Sequence, residues 1–279
     1  MTDVWISVLA IALGALSVAG GLSLLPPSFR RPPHLRVNYR GRPVMGTAGV
    51  ALVVPLALGA VFALMSSSDG DAPATTLLLS GAVIAALGYV DDVFGNRRAR
   101  GFGGHVGELL RGRVTTGLVK AVGGGVVGLA AAAALGQQGV WIGVAGAVVA
   151  LSSNIANLLD VRPGRAIKVW LASAVVLVVL GLPGRSERVV LSLLGGVVVF
   201  AVYEMREQVM LGDTGAGLLG VVAGVAAVAA SARLALAVLL GVLVALTAFS
   251  EVVSLSSVIE AVRPLRWIDG LGRRDRHAA

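Results

Sequence analysis

Thr75-Thr76-Leu77-Leu78-Leu79-Ser80-Gly81-Ala82-Val83-Ile84-Ala85-Ala86-Leu87-Gly88-Tyr89-Val90 runs without a charge and then meets Asp91-Asp92-Val93-Phe94-Gly95. An uncharged run of this length is too long for an ordinary strand and, wound as a helix, rises about 1.5 Å per residue, most of the way through a bilayer core. Two adjacent carboxylates close it. A charge near lipid is costly and is kept where it faces a partner, a cavity or a reacting group.

The rest of the chain repeats the pattern. Of 279 residues, 56% are hydrophobic and only 14% charged, against about a quarter charged in a soluble domain. The polar stretches are too short for an independent soluble domain, so residues 1–279 form a single integral-membrane unit. Uncharged runs predict nine spanning helices, near 4–25, 44–66, 75–90, 114–135, 140–158, 167–182, 189–203, 214–231 and 233–250. The fold class is all-α, a polytopic membrane helix bundle. Met1-Thr2-Asp3 has no basic residue ahead of the first run, which favours a retained first span over a cleaved leader. Gly occurs 38 times. Pairs such as Gly124/Gly128 and Gly139/Gly143 have the spacing that lets helices approach closely in lipid.

Sidedness follows from the basic residues. All but three of the 23 Lys and Arg fall on one side of this span pattern, the exceptions being Arg185, Arg188 and Arg233. Positive loops favour the cytoplasm, which places the N-terminus outside and the C-terminus inside. The net charge of +8 is then a topogenic signal, and nucleic acid is not an expected partner. Asp91, Asp92, Asp160 and Asp213 land on the cytoplasmic side together. The outer side holds only Asp3, Asp69, Asp71 and Glu187 among the acids.

The chain has no Cys, and its three His stand apart at 34, 105 and 277. Thiolate and clustered-imidazole metal sites are thereby excluded, leaving oxygen ligands and hard cations. Four segments can carry chemistry. Adjacent Asp91 and Asp92 repel unless a cation intervenes, which suits a metal site or a general base. Asn154, Asn157 and Asp160 recur every third residue and trace one slanting helical face; they form either the polar wall of a site or an interhelical hydrogen-bond network. Arg162, Arg165 and Lys168 follow in Val161-Arg162-Pro163-Gly164-Arg165-Ala166-Ile167-Lys168 and suit a diphosphate as well as they suit positive-inside bias. Gly212-Asp213-Thr214-Gly215-Ala216-Gly217 opens a span, where Asp213 either caps the helix or holds Mg²⁺ beside a ligand. Two surface segments complete the picture. Pro26 to Pro43 is rich in Pro and Arg and suits lipid headgroups. Residues 101–113 suit a short amphipathic surface helix, on which His105 is expected to be solvated.

Taken in order, these motifs resemble the polyprenyl-phosphate N-acetylhexosamine-1-phosphate transferase superfamily, which includes the phospho-N-acetylmuramoyl-pentapeptide translocase and the polyprenyl N-acetylglucosamine-1-phosphate initiators. Arg42-Pro43-Val44-Met45-Gly46 is similar to the family's Pro-x-Met-Gly-Gly loop, with Thr47 at its last position. Asp91-Asp92 match the aspartate pair, Asn154 to Asp160 match Asn-x-x-Asn-Leu-x-Asp, and Gly212 to Ala216 match Gly-Asp-x-Gly-(Ser/Ala). The resemblance implies transfer of a sugar-1-phosphate from a UDP-linked N-acetylhexosamine to undecaprenyl phosphate. UMP leaves, Mg²⁺ is the cofactor, and the setting is the bacterial plasma membrane in cell-envelope glycan synthesis. It implies catalytic roles for Asp91, Asp92 and Asp213, with Asp213 and Asp92 on the metal. Asn154, Asn157, Asp160, Arg162, Arg165, Lys168, Arg42 and Met45 would bind substrate. The sequence departs from the pattern at Pro163, where relatives carry a second Asp, at Met210, where an aromatic is usual, and in lacking a His-rich motif in the last loop. A non-catalytic binder of polyprenyl phosphate, a transporter of an anionic solute and a homodimer all stay open on this reading.

Overall fold

A computed structural model describes residues 2–66, 71–95 and 101–273. Twelve α-helices occur among them: α1 Thr2–Leu24, α2 Val53–Met65, α3 Ala72–Phe94, α4 Gly101–Leu110, α5 Thr116–Ala134, α6 Val140–Leu159, α7 Arg165–Leu180, α8 Glu187–Met205, α9 Gly212–Ala230, α10 Arg233–Val252, α11 Leu255–Ala261 and α12 Arg263–Gly270. The all-α bundle expected from the uncharged runs is present. Among the described residues eight helical stretches are long and apolar enough to cross a membrane. The remaining predicted span is α7, with 16 residues, about 24 Å at 1.5 Å per residue. It nevertheless connects the two ends of the bundle. Gly164 at its start is bound by Glu204 at the end of α8, and Arg185 beyond its end is bound by Asp71 at the start of α3.

The second predicted span begins later than the sequence suggests. Residues 43–45 are a strand, β2 (Pro43–Met45), paired antiparallel with β1 (Leu35–Val37) so that Arg36 lies opposite Val44. A turn of 3₁₀ helix over Ala48–Leu52 then leads into α2. The hairpin docks on the turn before α9: Met210 N–H donates to the Met45 carbonyl at 2.8 Å, and Glu207 takes Arg40 at 3.0 Å and Asn38 at 3.2 Å. The segment expected to lie on lipid headgroups is thus partly a strap that holds the start of α9.

Helix α9 occupies the middle of the bundle. It packs against α3 and α6, and nearly every residue from Thr214 to Val228 is buried. Its sequence explains the position, because Gly, Ala and Val alternate along it without one bulky aromatic, and small surfaces let neighbours close in where lipid gives no hydrophobic drive. Gly88 on α3 marks the tightest crossing: a Cβ there would collide with the Asp213 carbonyl and the Thr214 nitrogen. That contact sets the Asp91-Asp92 end of α3 beside the start of α9. Of the glycine pairs expected from spacing, Gly128 packs on the Gly146 backbone, whereas Gly124, Gly139 and Gly143 face open space. By contrast α10 is mostly exposed, a peripheral helix.

At the end of the bundle opposite the cleft, Asp3, Asp71, Arg185 and Arg188 have partners. Arg188, fully buried, donates to Asp3 at 2.7 Å and to the Phe62 carbonyl at 3.2 Å. Arg185 also reaches Asp3. Asp71 caps α3 through Ala74 N–H at 2.8 Å. Asp69 and the basic residues Arg97, Arg98, Arg100, Arg274 and Arg276 lie outside the described residues, as does His277; the His105 side chain is likewise not described.

The packing makes a direct prediction. Gly88→Ala drives a methyl into backbone and is expected to destabilise the protein by about 1–3 kcal/mol. Gly125→Ala, on a helix face with nothing within 4 Å, is expected to be neutral or to stabilise by up to about 1 kcal/mol. Thermal unfolding of the two purified variants in detergent checks this; equal midpoints would refute the account of the α3–α9 crossing.

Candidate active site

The carboxylates far apart in sequence meet at the start of α9. This helix begins at Gly212, whose φ of +65° favours glycine and whose missing Cβ leaves room for Gly46 and the Asp92 carboxylate. A helix start leaves N–H groups without partners inside the helix. Here three acidic side chains from other helices take them. Glu204 of α8 accepts from Leu211 N–H at 2.8 Å. Asp160, at the end of α6, accepts from Gly212 N–H. Asp92 of α3 accepts from Asp213 N–H at 3.0 Å, Thr214 N–H at 2.9 Å and the Thr214 hydroxyl at 2.6 Å. The second oxygen of Glu204 accepts from Gly164 N–H at 2.9 Å, tying in the start of α7. Asp160 sits just beyond the span; burial, with Glu204, Asp213 and Asp92 nearby, pushes its carboxyl well above the usual carboxylate range.

Asp91 and Asp213 are not used in this way. Their carboxyl groups are within hydrogen-bonding reach of each other. Between them stands Lys120 of α5, its Nζ 2.7 Å from Asp213 and 3.6 Å from Asp91. Thr116, one helical turn earlier on α5, also reaches Asp91. Arg36 of β1 donates to the Asp92 carbonyl. These groups line one cleft of ≈ 650 Å³, whose polar end holds Arg36, Asp91, Asp92, Lys120, Asp160 and Asp213. Its other wall carries Gly124 of α5, Ala150, Leu151, Asn154 and Asn157 of α6, and Thr247 of α10. Asn157 donates to the Ser153 carbonyl at 2.8 Å, but its Oδ1 is buried without a hydrogen-bond partner, as is the Thr247 hydroxyl. An unpaired buried acceptor in a cleft is a place for a ligand's N–H or O–H, because leaving it unmade is expensive.

The expected site residues therefore divide. Asp91, Asp92, Asp160, Asp213, Asn154 and Asn157 come together around the cleft. Both Asp92 oxygens hold the start of α9, and Asp91 is the carboxylate within reach of Asp213. Arg162, Arg165 and Lys168 do not line the cleft. Arg165 is buried in a two-pronged pair with Asp269, at 2.9 Å for each contact; Arg162 pairs with Glu260 at 2.7 Å, and Lys168 donates to the carbonyls of Ile268 and Asp269. Basic side chains beside a turn look alike in sequence whether they meet a diphosphate or a carboxylate of their own chain. Arg42 is exposed and Met45 is buried in the core; their loop contributes Arg36 and Gly46 to the cleft instead. Sequence reasoning missed Lys120, Arg36, Thr116 and Thr247. Lys120 had a legible signal, being a lone cation within an uncharged predicted span.

The donor set fits Mg²⁺. Among the described residues no group of three or more His, Cys, Asp and Glu is placed to hold a metal ion. Mg²⁺ asks for less: one or two carboxylates, with water and substrate phosphate completing an octahedron. Asp213 and Asp91, which already share one cation in Lys120, offer that pair.

The capping role predicts a split between two aspartates. Asp92→Asn replaces an acceptor with an amide that cannot satisfy three donors, and is expected to destabilise by about 1–3 kcal/mol. Asp213→Asn leaves the cap intact and should keep the wild-type unfolding midpoint within error. If Asp92→Asn melts with the wild type, the capping role is wrong.

Comparison with known proteins agrees with the geometry. No curated protein matches the chain. A family model described as Glycosyl transferase family 4 matches residues 74–231. That is more than half of the chain, and it runs from the start of α3 to the end of α9, including Asp91, Asp92, Asp160 and Asp213 of the cleft; Glu251, which also lines it, lies beyond the match. The chain belongs to glycosyl transferase family 4, within the polyprenyl-phosphate hexosamine-1-phosphate transferase superfamily.

Proposed function

We propose that the cleft transfers a sugar-1-phosphate, from a UDP-linked N-acetylhexosamine, to undecaprenyl phosphate at the cytoplasmic face of the bacterial plasma membrane. The observation that carries this reading is the contact of Lys120 with both Asp213 and Asp91, in a cleft that Gly124, Ala150 and Leu151 also line. A phosphoryl transfer needs its charges positioned and neutralised more than it needs covalent help. This cleft offers cations and carboxylates together with amide, hydroxyl and small apolar groups.

In the reaction a phosphate oxygen of undecaprenyl phosphate forms a bond to the phosphorus that bears the sugar. The bond from that phosphorus to the bridging oxygen breaks, and UMP leaves with that oxygen and its electron pair. Asp213 with Asp91 would hold Mg²⁺, which when bound would supply charge neutralisation on the diphosphate. Lys120 donates to the same oxygens from α5, with Arg36 of the hairpin next to them. Asp91, half-buried and beside Thr116, orients the incoming lipid phosphate and takes up its proton where it carries one. Asn157 offers its unpaired Oδ1 to an N–H of the nucleobase or acetamido group. Asn154, exposed on the same face, and Asp160 stand on that side. Gly124, Ala150 and Leu151 leave an apolar path between α5, α6 and α10 for the first prenyl units.

The test uses the full chain in detergent with undecaprenyl phosphate, Mg²⁺ and a panel of nucleotide sugars. A nucleoside monophosphate should be released with one sugar or a few. Asp213→Asn and Lys120→Met should each lower turnover by on the order of 10²-fold or more, the scale of losing one group that stabilises transition-state charge. A silent panel beside an active family member would overturn the assignment, and full activity in Asp213→Asn would overturn the metal site.

A further inference from the structure

The C-terminal helices α11 and α12 lie beyond the residues that match the family model. They are bound to the turn after Asp160 and to the start of α7. Asp269 of α12 accepts from Arg165 through both oxygens and from Arg273 at 2.6 Å. Burial alone would raise the Asp269 carboxyl, but hydrogen bonds from Arg165 and Arg273 outweigh it and bring it down to about 2. Arg273 also donates to the Pro163 carbonyl at 2.9 Å, and Arg165 to the Ser256 hydroxyl of α11 at 2.7 Å. The turn that joins Asp160 to α7 is thus held by the C-terminal segment.

With Asp269 fixed inward, helical geometry turns the rest of α12 outward. Trp267, two residues away, points to the far side and is 68% exposed; Ile268 and Leu271 beside it are 47% and 44% exposed. Arg263 and Arg266 are exposed on the same helix. A Trp between aliphatic side chains, flanked by arginines, has the composition of a helix that lies in a membrane interface. Its position agrees, since α10 is a membrane span ending at Val252 and α11 starts at Leu255. A second copy is a poor occupant for this face, because a symmetric pairing would set the arginines of one copy against those of the other. Anionic headgroups complement them.

We propose that α12 is an interfacial helix that seats Trp267, Ile268 and Leu271 among anionic lipids on the cleft side of the membrane, with the Arg165–Asp269 pair tying that seat to the turn after Asp160. The inference does not depend on the reaction assigned to the cleft.

The chain has no cysteine, so Ile268→Cys and Leu271→Cys can each carry a single nitroxide in the otherwise complete protein. The labelled variants are reconstituted in phosphatidylcholine bilayers with and without phosphatidylglycerol, and their unfolding midpoints are compared with wild type to confirm the fold. In the anionic bilayers oxygen should relax both labels more than a water-soluble nickel chelate does. Adding Arg263→Gln and Arg266→Gln, or raising salt, should shift the balance toward the chelate. Free access of the chelate in both bilayers would overturn the proposal. So would an oxygen preference indifferent to phosphatidylglycerol, or spin–spin broadening showing that two copies meet at α12.

Discussion

The first turn of α9 is the constraint on which the site depends. Its N–H groups start inside the bundle at the edge of lipid, where an unpaired donor costs several kcal/mol and no bulk water replaces the missing partner. Glu204, Asp160 and Asp92 supply the partners. Each comes from a different helix, so satisfying one helix start draws the ends of α8, α6 and α3 to one point. The positive end of the helix dipole also favours the negative charge gathered there. A capping requirement and a cluster of carboxylates are here the same structure seen from two sides.

That arrangement separates two neighbours which the sequence makes look equivalent. Consecutive residues on a helix differ by about 100° in direction. On α3 this aims Asp92 at the backbone of α9 and Asp91 at α5, where Lys120 and Thr116 stand. Asp92 is buried and has no acceptor oxygen free of the cap. Asp91 and Asp213 are half-buried, open to the cleft and share a cation. The division is one of labour: a fixed carboxylate sets the geometry, and two accessible ones meet whatever enters.

The fold class was legible because uncharged runs leave a bilayer few alternatives. The convergence of Asp91, Asp92, Asp160 and Asp213 was legible because each borders an uncharged run on the same predicted side. What sequence could not distinguish was the partner of each charge. Arg162, Arg165 and Lys168 look like an anion site and are occupied by Asp269, Glu260 and backbone carbonyls of the C-terminal segment, about a hundred residues later. Pairings at that separation leave no local pattern. The hairpin was hidden for a related reason: Val44 and Met45 continue an apolar run that reads as helix, and only their pairing with Leu35 and Arg36 makes them strand. Lys120 was visible as an isolated charge, yet nothing near it in sequence shows that it points at Asp213.

The two ends of the bundle also explain how a chain so rich in Gly, Ala and Val adopts one register. Apolar helix faces in lipid discriminate weakly between neighbours, since a methyl group is as well solvated by an acyl chain as by another helix. Specificity must then come from close backbone crossings and from polar groups that have only one satisfactory partner. At one end Arg188, fully buried, finds Asp3 and the Phe62 carbonyl, and Asp71 holds both Ala74 and Arg185. At the other the start of α9 finds its three carboxylates. A slip of α9 by one residue against α3 would unpair Asp92 from its donors and press Gly88 against a side chain in place of the Asp213 backbone. The polar pairs that select a single packing are therefore the ones that assemble the cleft, so the register of the bundle and the geometry of the site cannot vary independently.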